Sequence, residues 1–395
     1  MNLRYKSKKM KCTSLKIFTI ALLFVLSVGH AQQKITIPFN PGAWEHDKEQ
    51  VEFLTYKNRS AVRGKGESDV NILLKDTEFT TGTIEYDVEF KGNGFPGIGF
   101  RSSDDRKNTE LFYIRYFGTV NPLSRYTLQY AAVMDGINLW DITDEYQSAS
   151  EIYDGQWNHV KLVISENQMK VYVNDMEKCA LHVPILEGSR KKGKIYLTGD
   201  VIYSNLTISP GAIEELPNIA GFNLKSNDTR FLRNWKISNP ADLPFERDVI
   251  KRIPNTPFIT MDSTLMDNSS WKPIHAKYRG MVNITEKLGA TEQGKRRVTW
   301  LKTTITSDTD QIRKLKLGFS DEIWVFINGR HLYTDKNYYT TPGVKQPRGR
   351  ATVDNAEINL PLKKGENEIV VGVANYFFAW GLTAKLDATD NLMIE

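Results

Sequence analysis

The sequence predicts an all-β protein: two β-sandwich (jelly-roll) domains behind a secretory leader. Three observations lead there. Nearly every readable segment alternates apolar and polar residues with period two, no window sustains a helical stripe, and Gly, Asn and Asp turns separate many short strands. Strands of this kind have one apolar face each, which only a second sheet can cover.

The elements follow in chain order. Residues 1–31 carry six basic groups and no acidic one, then an apolar run over 17–28, then Gly29 and Ala31 as the small residues before a cut at Gln32. A run of 12 residues is well short of the roughly 20 that span a bilayer. The mature chain is therefore expected to have no membrane span and to be secreted or periplasmic. Cys12 precedes the run, out of place for a lipoprotein cut.

Strands are expected at 51–62, 68–75, 97–101, 110–117, 126–133, 194–198 and 202–208. In 83–91, Ile84, Tyr86, Val88 and Phe90 share one face, and Glu85, Asp87, Glu89 and Lys91 the other. Residues 157–164 and 169–173 flank the turn Ser165-Glu-Asn-Gln168 as a hairpin. The pattern lapses from Ser209 to about Asn223, which divides the chain into a sandwich at 32–210, a linker at 211–224 and a sandwich at 225–395. The second block has strands at 231–238, 271–285, 297–306, 314–317, 323–328, 356–362 and 368–386. Asn328-Gly329 marks a tight hairpin, because both residues tolerate positive φ.

Charge narrows the function classes. The chain has 52 Lys+Arg against 47 Asp+Glu. Without the six basic groups of the leader, 46 face 47, a net of −1. Bulk charge thus gives no support to a nucleic-acid footprint. After cleavage only Cys179 remains; it lies beside Ala180 and Leu181 and reads as a packed thiol rather than a nucleophile. The histidines left, at 46, 159, 182, 275 and 331, are scattered without metal-ligand spacing. No metal site or cofactor is therefore assigned; a structural Ca²⁺ is compatible with either sandwich, with no ligand set to name.

Residues about 34–210 resemble the concanavalin A-like lectin/glucanase (laminin-G-like) domains of secreted polysaccharide-processing proteins, including the group named after 3-keto-disaccharide hydrolases. The carriers are Gly82-Thr-Ile-Glu-Tyr-Asp-Val88, Gly97-Ile-Gly-Phe-Arg101, Phe112-Tyr-Ile-Arg115, Trp157-Asn-His-Val-Lys161, Val171-Tyr-Val-Asn174 and Ser204-Asn-Leu-Thr-Ile208. Residues about 225–395 resemble the galactose-binding-like jelly rolls appended to many glycosidases. Here the carriers are Phe231-Leu-Arg-Asn-Trp-Lys-Ile-Ser238, Leu317-Gly-Phe-Ser-Asp-Glu-Ile-Trp-Val-Phe-Ile-Asn-Gly329, Lys364-Gly-Glu-Asn-Glu-Ile-Val-Val371 and Trp380-Gly-Leu-Thr-Ala-Lys-Leu386. The two resemblances imply sugar-related work outside the cytoplasm, and do not by themselves imply catalysis.

Candidate chemistry falls in three places. Glu85, Asp87 and Glu89 project from one strand face about 6.5–7 Å apart, which suits a carboxylate pair for retaining glycoside hydrolysis, with Glu85 and Glu89 as the working groups. The row resembles the Glu-x-Asp-x-(x)-Glu signature of laminarinase-type glucanases, but lies on an early strand with no Trp just before it. A solvated outer face would alternate in the same way. Sugar contacts are better sought in Arg101, Tyr113, Arg115, Gln129, Tyr130 and Trp140, since pyranose rings stack on aromatic faces and hydroxyls need planar donors and acceptors. Tyr113 and Arg115 share a sheet face opposite Phe112 and Ile114. In the second block Asp321, Trp324, Arg330, Tyr338 and Tyr339 crowd a hairpin and an aromatic loop.

The leading expectation is a secreted carbohydrate-binding protein of polysaccharide degradation or utilisation, with a poly- or oligosaccharide as partner. The alternatives are a glycoside hydrolase of the concanavalin A-like type and a protein-binding surface module. Oligomeric state stays open.

Overall fold

Period-two alternation is realised almost throughout. The computed structural model describes residues 33–394 apart from 66–69, 119–120, 144, 257–258, 267–270 and 342–344; the expected leader lies outside these. Among the described residues two helical segments interrupt the strands, a 3-10 turn at Ser263–Leu265 and the short helix Ile284–Leu288.

The first sheet runs Leu181–Val183, Met169–Val173, Asn158–Ile164, Gly82–Phe90, Val201–Pro210, Arg59–Gly64, Val51–Tyr56. The second runs Ile137–Asn138, Leu128–Met134, Thr109–Ile114, Gly97–Ser102, Lys194–Thr198, Asn71–Leu74, Trp44–Glu45. Their facing sides interdigitate. Ile84, Tyr86, Val88 and Phe90 from the one meet Ile98, Phe100, Phe112 and Leu128 from the other in a single core.

A second sandwich pairs Arg297–Ser307, Gly365–Asn375 and Glu322–Ile327 with a four-stranded sheet ordered Met281–Asn283, Gly381–Leu386, Gln311–Ser320, Ala356–Leu362. Leu301, Ile323, Val371, Leu317, Leu360 and Leu382 fill it. Residues 33–395 form one compact unit. The 211–224 segment is held down rather than free. Pro217 O accepts from Ser165 Oγ at 2.6 Å, and Ile219 O accepts from Gln168 Nε2 at 2.8 Å.

Four local expectations change. The single strand at 51–62 is a hairpin, turning at Lys57 and Asn58 with φ of 48° and 60°. The strand at 271–285 divides into Lys272–His275 and Met281–Asn283, which belong to different sheets, and ends in the helix Ile284–Leu288, where the Asn283 side chain caps Glu286 N at 3.0 Å. The strand at 368–386 breaks into Gly365–Asn375 and Gly381–Leu386 around an aromatic loop. Cys179 is exposed, not packed, because it follows the 175–178 turn.

Candidate functional site

An antiparallel sheet normally leaves one face to water. Strands Gly97–Ser102, Thr109–Ile114 and Leu128–Met134 are instead buried along their whole length. Their outward side chains, Leu111, Tyr113, Ala131 and Val133, join Leu73, Trp140 and Tyr196 in a second apolar layer. Gly99 makes room for it: a Cβ there would lie 2.0 Å from Tyr196 Cε1, so only glycine lets that ring lie on the sheet.

The cover comes from the second sandwich. Ala351, Ala379 and Met281 pack on Ala132, Met134, Leu139 and Ile142. Ala351 N donates to Asp141 O at 2.8 Å, and Arg350 Nη1 to Trp140 O at 2.8 Å. Buried Arg279 meets Glu145 and Glu187, each at 3.0 Å. Two buried carboxyls complete the seam. Asp141 Oδ2 accepts from Ala379 N (3.1 Å) and Ser320 Oγ (3.2 Å). Asp321 Oδ2 accepts from Tyr376 N (2.8 Å) and Phe377 N (3.0 Å). Burial pushes both carboxyls up, Asp321 to about 7, and the Asp321 charge raises Asp141 further. This network fixes loop 376–380, in which Phe378 takes φ 54°, a strained value for a bulky residue.

Beside the seam lies a cavity of about 470 Å³, lined from the first sandwich chiefly by Tyr113, Arg115, Trp140 and Tyr196 and from the second by Tyr339, Arg350, Phe377 and Phe378. Trp140 meets Tyr339 edge-on at 5.1 Å and Phe378 at 5.6 Å, while Tyr339 stacks on Phe377 at 5.9 Å and 10°. Tyr339 and Phe378 keep 41% and 39% of their surface exposed, leaving ring area for a ligand. Phe95 extends the wall, edge-on to Tyr113 at 5.9 Å. Arg115 donates to Tyr126 O (2.8 Å), to the Tyr113 hydroxyl (3.1 Å) and to Gln129 Oε1. Burial raises the Tyr113 and Tyr196 hydroxyls, the latter to about 12, so both stay protonated donors. The arrangement can stack a flat apolar ring face and hydrogen-bond its edge.

The structure thus brings together Tyr113, Arg115, Trp140 and Tyr339, with Gln129 and Asp321 behind them as supports. Tyr338 is not part of the lining and lies edge-on to Tyr376 at 5.2 Å. Four other candidates lie elsewhere. Arg101 is wholly buried and donates to Thr80 O, Glu166 O and Ser165 O, tying loops together. Tyr130 points into the core, where its hydroxyl meets Glu110 at 2.5 Å. Trp324 fills the apolar layer outside the second sandwich, and Arg330 sits exposed at its hairpin turn. Phe95, Asn138, Tyr196, Arg350, Phe377 and Phe378 went unrecognised in the sequence. The run Tyr376-Phe-Phe was a usable signal, since three aromatics in a row break the apolar–polar alternation of a strand with one solvated face.

Glu85 and Glu89 lie on the outer face of the first sheet, whereas the cavity lies outside the second. Glu85 meets Lys34 at 2.9 Å. Glu89, only 1% exposed, accepts from Tyr56 (2.7 Å), Lys57 (2.7 Å) and Lys91 (2.6 Å). Burial alone would raise its carboxyl, but these donors hold it below the usual range. Asp87 between them is likewise held low against burial by His159, Asn205 and Arg59. The row is thus tied up in pairs. Among the described residues no group of three His, Cys, Asp or Glu side chains could share a metal ion, and no helix is long and apolar enough to cross a membrane.

No family model and no curated protein matches the chain. Among solved structures it is similar to the carbohydrate-binding module CBM66 from Bacillus subtilis, at 17% identity over 45% of this chain and 95% of that one, with a TM-score of 0.30. It is similar to the exoplasmic/lumenal domain of VIP36 in a Ca²⁺/Man3GlcNAc-bound form, at 9% identity over 48% and 94%, TM-score 0.29. A family 35 carbohydrate-binding module from an environmental isolate is similar at 11% identity over 24% and 69%, TM-score 0.18. Each covers less than half of this chain.

Proposed function

We propose that this is a secreted carbohydrate-binding protein of polysaccharide degradation or utilisation, and that it holds its saccharide in the cavity between the sandwiches. One observation carries the reading. The partly exposed rings of Tyr339 and Phe378 line the cavity together with Trp140 and the planar polar groups of Arg115 and Asn138, the combination that a pyranose ring with its rim of hydroxyls calls for. Among the described residues the lining contains no carboxylate, histidine or thiol, which supports holding a glycan rather than cleaving it. The leader at 1–31 supports export. The motifs that resemble concanavalin A-like and galactose-binding-like domains support those names for the two sandwiches, with the division at 211–224.

Affinity electrophoresis of the purified protein through gels containing plant and algal polysaccharides tests this. Retardation by at least one polymer, without shortening of that polymer, is expected. Free migration in all of them overturns the reading, and shortening of the polymer replaces it with a hydrolase.

A further inference from the structure

We infer that the cavity prefers saccharides bearing an anionic substituent, a carboxylate or a sulfate ester; this rests on the saccharide-binding reading above. The lining combines the guanidinium groups of Arg115 and Arg350 with no acidic side chain among the described residues. Arg115 is oriented but not neutralised, because its acceptors are a backbone carbonyl, a tyrosine hydroxyl and an amide oxygen, all uncharged. Arg348 adds a third cation at Tyr339, lying 5.2 Å over the ring and donating to the Tyr339 carbonyl. Arg350 is braced between the Trp140 and Tyr126 rings at 4.8 and 5.5 Å.

Several arginines elsewhere are neutralised by carboxylates: Arg296 meets Glu322, Arg279 meets Glu187 and Arg59 meets Asp87. Arg101 is also bound by carbonyls alone, but it is fully buried where no ligand reaches. Arg115 presents such a cation to a space that a ligand can enter. In a partly desolvated site a planar fork of donors attracts a carboxylate or sulfate far more strongly than a hydroxyl. Asp141 and Asp321 behind the wall do not cancel this field at mildly acidic pH, since burial keeps them protonated.

The test is calorimetric titration of the purified protein with four probes: oligogalacturonate, its methyl ester, a sulfated galactan fragment and its desulfated counterpart, each at low and high salt. One acidic probe should bind at least about tenfold more tightly than its neutral counterpart, and the preference should shrink with added salt. Which pair shows it separates carboxylate from sulfate. Arg115→Gln should abolish most of the preference and Arg115→Lys should retain part of it. The salt dependence of the unaltered protein decides the matter should Arg115→Gln fail to fold. Equal or better binding of the neutral probes overturns the preference and leaves saccharide binding standing. Binding of none of the four, by a protein also unretarded in every polysaccharide gel, overturns both.

Discussion

Replacing Asp321 by Asn should flatten the dependence of stability on pH, by an amount that the buried seam sets. Asp321 is 3% exposed, and burial pushes its carboxyl from 3.8 to about 7. Above pH 3.8 the unfolded chain releases this proton, while the folded protein keeps it until about pH 7. The folded state then binds more protons than the unfolded state, so this group's contribution to stability falls as pH rises through that window. About 3 units at about 1.36 kcal/mol each amount to about 4 kcal/mol. An amide at 321 keeps one oxygen for Tyr376 N and Phe377 N, so the aromatic loop retains its anchor. Loss of the Asp321 charge also relieves Asp141, which acts in the same direction. Asp228, held low by Arg230 and Lys385, and Asp262, held low against burial by Lys251 and Arg247, give the opposite slope mainly below 3.8, beneath that window, and the difference between variant and wild type removes what remains. Denaturant unfolding of both proteins from pH 4 to 7.5 is the assay. The variant should gain about 4 kcal/mol on the wild type across that range. Parallel curves would refute the claim that Asp321 is buried as the neutral acid.

Three more predictions follow from the same geometry. Tyr339→Ala, at a ring 41% exposed, should weaken saccharide binding by about 2 kcal/mol, roughly 30-fold, with little change in thermal midpoint; titration of a glycan and a melting curve check both halves. Glu89→Gln should leave glycan binding unchanged and cost about 1–3 kcal/mol of stability, most evident above pH 5, because a carboxyl held low contributes only where it is ionised in both states. Loss of a sugar-cleaving activity in Glu85→Gln/Glu89→Gln would instead mark that row as a working site. Arg279→Ala, which leaves Glu187 at the seam without its cation and Glu145 with Lys225 and Asn223, should cost about 3–5 kcal/mol and open the 211–224 segment to limited proteolysis before global unfolding.

Much of the architecture was legible because strand physics is local. The 83–91 alternation became a strand with Ile84 to Phe90 inward and Glu85 to Glu89 outward, and Asn328-Gly329 became the turn its positive φ values allow. The hairpin at Lys57-Asn58 was missed because lysine is no turn marker; there the strands impose φ 48° on it. Loop 376–380 was read as strand because Tyr-Phe-Phe has high strand propensity, and what bends it is Asp321, more than fifty residues earlier. The site was half legible for a related reason. Tyr113 and Arg115 share a face by period two, so one strand reveals them, whereas Arg350, Phe377 and Phe378 reach the cavity only through the seam. Its residues, Ala132, Ala351 and Ala379, are small and apolar and look like any others in a sequence.

The most direct test of the central claim is a crystal structure with an oligosaccharide selected by the gel retardation. The account predicts a sugar ring against Tyr339 and Phe378, within hydrogen-bond reach of Arg115 and with Trp140 in its wall. A sugar seated instead along Glu85 and Glu89, on the outer face of the first sheet, would contradict it.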